Sequence, residues 1–417
     1  MASQEITSLG DVMNVDELQT DYAGRKTALF GLALKTSFFT VLTLGFYRFW
    51  MKTRMRRFYW SAIRPGGQPL EYVGRPTEKL LGFLSTVVFL AFYIGIVNLI
   101  LVFLSFSFLR ANQPAYLLSF LGLVPIIFFA QYRARRYILA RTRWRGIRFG
   151  LAPGVSGFVW RSLLHWGLTV VTLGLYWPVK TFHLEKYRTD RTWYGDQNMR
   201  QNGKWTLLLA PMKHVYLGVA SSAVCGVIVW VTASIEVVPF LFLTVAWSMF
   251  GLAYWKAYSF KRLTEAKQLG NVRLATDPSV WRIIGIYVAG YSLISVVVLL
   301  GVSLLLAFSS MIFVALATLL GEANDGDVFS QLSFASLGVD VLPLWVVGVV
   351  WGASYFAAFL FWRTLTETFI TLPLARHFAE VTSIIEPAGL NTIRQRDRDE
   401  FAEAEGFADA LPLGEGM

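Results

Sequence analysis

A charged or strongly polar side chain at membrane depth is costly, so each one is first read as a candidate for function. This chain holds few of them. Lys35 lies in the apolar stretch 28–50, Arg161 and His165 lie in 157–179, and Asn98 sits midway along 80–109. Lys35 reads either as a base snorkelling from a shallow helix or as a base meeting an anion in a re-entrant cavity. An interfacial or satisfied histidine is the simpler reading of His165, ahead of a proton relay. Asn98 suits a hydrogen bond to a neighbouring helix better than a substrate contact. Glu185 is the only acid between Glu78 and Asp190, and Arg188 at i+3 is its natural partner.

A second kind of candidate is a repeated break. Leu42-Thr43-Leu44-Gly45-Phe46-Tyr47 recurs as Val171-Thr172-Leu173-Gly174-Leu175-Tyr176, at an offset of 129. The same offset takes Phe58 to Tyr187 and Arg133 to Arg262, so 28–150 and 157–274 read as a tandem duplication. Glycine beside threonine, between apolar stretches, permits a helix break or a re-entrant tip. It also permits close helix packing. Broken segments at matching places in two repeats point to a transport path. On that reading Thr43, Gly45, Thr172 and Gly174 line it, with Lys35, His165 and Asn98 nearby.

The elements that would position these residues are helices in a bilayer. Of the 417 residues 55% are apolar and only 16% are charged, too apolar for a soluble chain of this size. Apolar runs at 80–109, 115–130, 215–233, 237–254, 283–308 and 341–362 predict six transmembrane helices in three hairpins. The stretches 28–50 and 157–179 are also long enough to cross. The charges argue otherwise. Residues 51–79, 132–150 and 180–213 carry seven bases each and 256–282 carries six. The opposite segments 110–113, 234–236 and 309–340 carry one base and five acids. All four basic stretches share one side only if the two extra segments do not cross, and Lys and Arg near span ends mark the cytoplasmic side. The expectation is therefore an all-α polytopic membrane protein. It has six spans, two re-entrant or interfacial segments and both termini in the cytoplasm.

The net charge is +11, but the tails are acidic: 1–27 has five acids and two bases, and 391–417 has seven and three. Both tails read as disordered by composition. Between them the divisions are 28–150, 157–274, and 283–390 for the third hairpin with a C-terminal amphipathic segment. The bases cluster beside apolar runs, which favours anionic headgroups over nucleic acid. Arg54, Arg56, Arg57, Arg133, Arg135, Arg136 and Arg188 are the headgroup-binding candidates. Each basic run precedes a glycine turn, at Gly66, Gly146, Gly195 and Gly270, which predicts small cytoplasmic β-hairpins.

Catalytic signatures are missing from the sequence. There is no HExxH, GxSxG or Walker pattern, and Cys225 is the single cysteine, so neither an enzyme nor a metal or other cofactor is expected. The first 20 residues lack a secretory-signal pattern.

Thr43-Leu-Gly-Phe-Tyr-Arg-Phe-Trp50, a base-rich run, and Glu71-Tyr-Val-Gly74 resemble the signature of the YjgN-like bacterial inner-membrane proteins, a family of unknown function. Thr172-Leu-Gly-Leu-Tyr-Trp-Pro178 and Glu185-Lys-Tyr-Arg-Thr189 are similar to its second half. The resemblance covers roughly 28–390 and implies a polytopic inner-membrane protein, with no residue roles to carry over. Two functions remain open: a transporter or channel-like protein, or a membrane-organising protein that binds anionic lipid or a partner.

Overall fold

The computed structural model describes residues 17–109, 113–319 and 344–397. The chain divides into two compact units. One comprises the described parts of 1–24, 52–284 and 376–417, and the other comprises 25–51 with those of 285–375.

Ten short strands run through the first unit. They are β1 (Glu17–Tyr22), β2 (Ile63–Pro65), β3 (Glu71–Tyr72), β4 (Thr142–Trp144), β5 (Ile147–Leu151), β6 (Thr192–Tyr194), β7 (Gln197–Gln201), β8 (Lys267–Leu269), β9 (Val272–Thr276) and β10 (Thr382–Ile385). They form one antiparallel sheet in the order β2-β1-β10-β9-β8-β7-β6-β5-β4-β3. Three tight turns follow the sequence. Arg145-Gly146, Gly195 and Gly270 take positive φ, the conformation that two-residue hairpins need.

The helices are α1 (Lys26–Leu42), α2 (Arg48–Ala62), α3 (Pro76–Phe92), α4 (Asn98–Leu109), α5 (Gln113–Ala140), α6 (Val155–Val171), α7 (Trp177–Thr189), α8 (Leu209–Thr232), α9 (Val238–Glu265), α10 (Val280–Leu319), α11 (Leu344–Thr366) and α12 (Leu372–Glu380). In the first unit, α5, α6 and α7 meet β5 around Phe128, Tyr132, Leu151, Phe158, Leu184 and Tyr187. Tyrosine hydroxyls finish that core: Tyr132 donates to the Ala152 carbonyl and Tyr187 to the Gly154 carbonyl, both at 2.7 Å. A second core joins the sheet to the C-terminal segment, where Trp144, Tyr194, Val272 and Ile384 pack with Leu390 and Ile393. In the second unit α1 buries Leu29, Ala33, Thr36 and Ser37, a stripe of mostly small residues at helical spacing.

Several expectations are corrected. The protein is not a plain all-α polytopic chain. Helix predominates among the described residues, but the predicted separate hairpins combine into one ten-stranded curled sheet. The hairpin expected around Gly66 is split, with β2 pairing to β1 and β3 to β4. Strands at opposite ends of the sheet order are thus joined by residues 66–70 alone, which reach about 20 Å at most. That short link requires the sheet to curl.

Among the described residues three helices, not six, are long and apolar enough to cross a membrane: Trp205–Thr232, Ile235–Glu265 and Val280–Leu304. The run 80–109 is interrupted by a π-helical turn at Tyr93–Val97, which leaves α3 and α4 short. The expected span 341–362 starts outside the described residues. Residues 17–22, assigned to the acidic tail by composition, form β1 instead. They bury Thr20 and Tyr22, which mean charge cannot reveal.

Candidate functional site

The two Thr-Leu-Gly segments are tight turns between consecutive helices. In each, threonine ends the first helix and uses its hydroxyl twice. Thr43 donates to the Phe39 carbonyl at 2.7 Å and accepts from the Tyr47 amide at 2.8 Å. Thr172 does the same with Leu168 and Tyr176. Gly45 and Gly174 sit at φ +94° and +91°, and a Cβ at either would meet nothing within 4 Å. They are turn glycines, not packing glycines.

Leu44 and Leu173 precede them at φ +50°, a left-handed state that costs a leucine about 1–3 kcal/mol. Both leucines are nonetheless bare, at 87% and 95% exposure. Strain spent on presenting an apolar side chain to the outside is a pointer to function.

The α6–α7 turn is pinned beside an apolar helix. Tyr216 of α8 donates its hydroxyl to the Leu175 carbonyl at 2.8 Å. Tyr216 lies seven residues into α8, about 10 Å along it.

Behind the turn, His165 stacks on Tyr176 and His183, at 5.7 and 5.3 Å between ring centroids. Burial lowers the pKa of both histidines; for His165 the neighbouring His183 and Arg161 add to it, and for His183 Lys186 does. Lys180 is only 4% exposed. Its Nζ lies 3.4 Å from the Trp166 ring centre and 3.6 Å from that of Trp177. Burial moves its pKa down to about 8, although the indole faces favour the cation. Below pH 8 the folded state bears the cost of burying the charge. Between pH 8 and the ordinary lysine value the unfolded chain keeps a proton that the folded one has shed, so stability rises with pH. Denaturant titrations should show this rise in the wild type and a flatter profile in Lys180→Met.

Most of the arginine candidates are tied into the fold. Arg136 is buried, with Nε donating to the Leu151 carbonyl at 3.1 Å. Arg57 donates to the Gly74 carbonyl at 3.1 Å. Arg56 lies over the Tyr72 ring and Arg133 over Phe129. Arg54 is exposed on α2. Arg135 and Arg188 converge on Glu185, at 3.7 and 2.9 Å, and Lys267 of β8 joins them at 2.9 Å. Burial alone would raise the Glu185 pKa. The three bases, Lys267 foremost, outweigh it and hold the carboxyl well below the usual range. One acid thereby ties α5, α7 and β8 together while a surplus of positive charge remains.

Of the other sequence candidates, Lys35 is exposed on α1, and Asn98 is half-buried where α4 begins after the π-helical turn. Lys35 and Asn98 belong to different units. The first Thr-Leu-Gly turn likewise lies in the second unit and the other in the first.

Sequence reasoning missed the Lys180 pocket, although its i,i+3 spacing from Trp177 was a usable signal. It also missed a glycine seam. A Cβ on Gly218 would sit 2.7 Å from the Ser248 Cα, and one on Gly251 would sit 2.8 Å from the His214 backbone. Ser222 and Ser248 meet there at 3.3 Å. Among the described residues no group of three or more His, Cys, Asp or Glu side chains is placed to hold a metal.

No curated protein and no solved structure matches the chain. The family described as bacterial protein of unknown function, DUF898, matches residues 17–410. The Thr-Leu-Gly turns, the basic helix ends and nearly all of the ten-stranded chain fall within that match, and the protein belongs to the DUF898 family.

Proposed function

We propose that this protein is a multi-pass protein of the bacterial inner membrane that organises lipid. In this reading the α1–α2 and α6–α7 turns dip into the cytoplasmic leaflet, and the bases behind them attract anionic headgroups. The observation that carries it is the bond from Tyr216 to the Leu175 carbonyl. It ties an exposed, strained, apolar turn to the flank of the candidate span 205–232. The depth of about 10 Å suits a segment that enters one leaflet and returns.

The topology supports a single-sided sheet. The α8–α9 pair leaves from β7 and comes back to β8, and those strands are neighbours. β1 and β10 are neighbours too, so both ends of the described chain lie by the sheet. The bases at the helix ends favour the cytoplasmic side for it. A transport path through the turns has less support. Each threonine hydroxyl already serves its own turn, and each glycine serves backbone geometry.

Single cysteines test this in a Cys225→Ser background. Spin labels on Leu44→Cys and Leu173→Cys should collide with oxygen and be shielded from a water-soluble nickel chelate. A cysteine at Asn198, in β7, should react with an impermeant thiol reagent only after cells are lysed. Nickel access at both turns would remove the dipping hairpins. Labelling of residue 198 in intact cells would put the sheet on the wrong side.

A further inference from the structure

The carboxyl end of α9 carries an aromatic stripe. Phe250, Tyr254 and Tyr258 follow one another at i,i+4 spacing, with ring centroids 6.1 and 4.4 Å apart. Trp281, at the start of α10, extends the line, 5.8 Å from Phe250. One turn beyond Tyr258, Lys261 Nζ meets Asp277 Oδ1 at 2.6 Å. These side chains line a cleft of about 370 Å³, within the size range of small-ligand sites.

Three properties define the ligand. The rim carries both signs of charge, so it complements a zwitterion. Its pair is available for exchange: the Asp277 side chain is 88% exposed and Lys261 is 27% exposed, and an exposed ion pair contributes little by itself. Four aromatic rings wall the cleft, and aromatic rings attract an organic ammonium, although Tyr254 already stacks on Tyr258 and meets His214 edge-on. The amino end of α10 forms another side of the cleft, and although Ser279 donates its amide to His377 Nε2 and caps the Arg282 amide with its hydroxyl, the positive end of the helix dipole there favours an anion.

The position adds the source. Lys261 is near the end of the apolar helix 235–265, and Trp281 is near the start of 280–304. Aromatic rings and bases at the ends of spans sit at headgroup level.

We infer that this cleft binds the headgroup of a zwitterionic phospholipid, its phosphate at Lys261 and the amino end of α10, its ammonium at Asp277 against Tyr254, Tyr258 and Trp281. This rests on the membrane reading given above, but not on the dipping turns. A purely anionic headgroup would use Lys261 yet meet the Asp277 carboxylate. The zwitterion satisfies both.

Native mass spectrometry of the full chain in detergent tests the assignment, with phosphatidylethanolamine and phosphatidylglycerol of identical acyl chains as probes. The wild type should retain the ethanolamine lipid about tenfold better, and Asp277→Asn or Tyr258→Leu should each reduce that preference about fivefold. Lys261→Gln should weaken both lipids. Unchanged melting temperatures certify the variants as folded. Equal retention of the two lipids overturns the inference, as does a preference that survives all three substitutions. Equal competition by free phosphoethanolamine also overturns it, because the ligand would then be soluble. The spin-label depths at residues 44 and 173 are measured separately. Failure in the cleft with shielded turns rejects this site alone, and exposed turns with intact lipid preference reject only the dipping hairpins.

Discussion

Replacing Glu185 by glutamine is expected to destabilise the sheet-bearing unit by about 3–5 kcal/mol, the usual cost of removing one partner from a buried ionic group. The carboxylate offsets Lys267, Arg188 and Arg135 together, and its side chain is only 12% exposed. Without it, three cations face each other across α5, α7 and β8. The pH dependence has a defined sign. The folded pKa is depressed, so this contribution is complete above the ordinary carboxylate value and is lost as pH falls through the folded one. The wild type should therefore lose stability on acidification below about pH 4.5, and Glu185→Gln should start lower and respond less. Thermal unfolding in detergent between pH 7 and 3 reads both effects. Equal melting temperatures at neutral pH would show that the cluster is solvated and contributes little.

Replacing Gly251 by leucine is expected to break the α8–α9 pair. Even the first added atom would lie 2.8 Å from the backbone of His214 and Val215, and backbone cannot step aside as a flexible side chain does. Gly251→Ala alone should cost about 1–3 kcal/mol, and leucine more. Small residues that let helices approach closely are what drive association where lipid is as apolar as the side chains. Gly174→Ala is the control. It meets no atom within 4 Å but must hold φ +91°, so its cost is confined to backbone strain of about 1–3 kcal/mol. Cysteines at Ser222 and Ser248, whose hydroxyls are 3.3 Å apart, provide the readout with Cys225 replaced by serine. They should cross-link in the parent and in Gly174→Ala, and fail to do so in Gly251→Leu. Efficient cross-linking in Gly251→Leu would mean that the seam is looser than its geometry requires.

The two glycine classes show where sequence reading stops. Gly45 and Gly251 both stand among apolar residues, and spacing alone left break and packing open for Gly45. Positive φ settles one and interhelical contact the other, and both are properties of the folded backbone. The headgroup candidates behave similarly. Arg135, Arg136 and Arg188 belong to a basic surface by composition, yet their guanidiniums are spent on Glu185 and the Leu151 carbonyl. A sequence gives the charge of a group but not the partner that neutralises it.

By itself, the sequence determined whatever depends on neighbours along the chain. It showed the family resemblance, the apolar character, the recurrence of Thr-Leu-Gly, the glycine hairpins at 146, 195 and 270, and the Glu185–Arg188 pair. Each rests on contacts within a few residues or on bulk composition. Only the tertiary structure decided the rest. Strands of two to six residues are too short for alternation to register. The sheet is completed by pairings such as Leu18 with Ile384, at opposite ends of the chain. Lys267 reaches Glu185 across 82 residues, and Tyr216 fixes the turn at Leu175 from another helix. Such contacts are selected by collective burial and by the need to satisfy buried polar groups, and neither is written in local order.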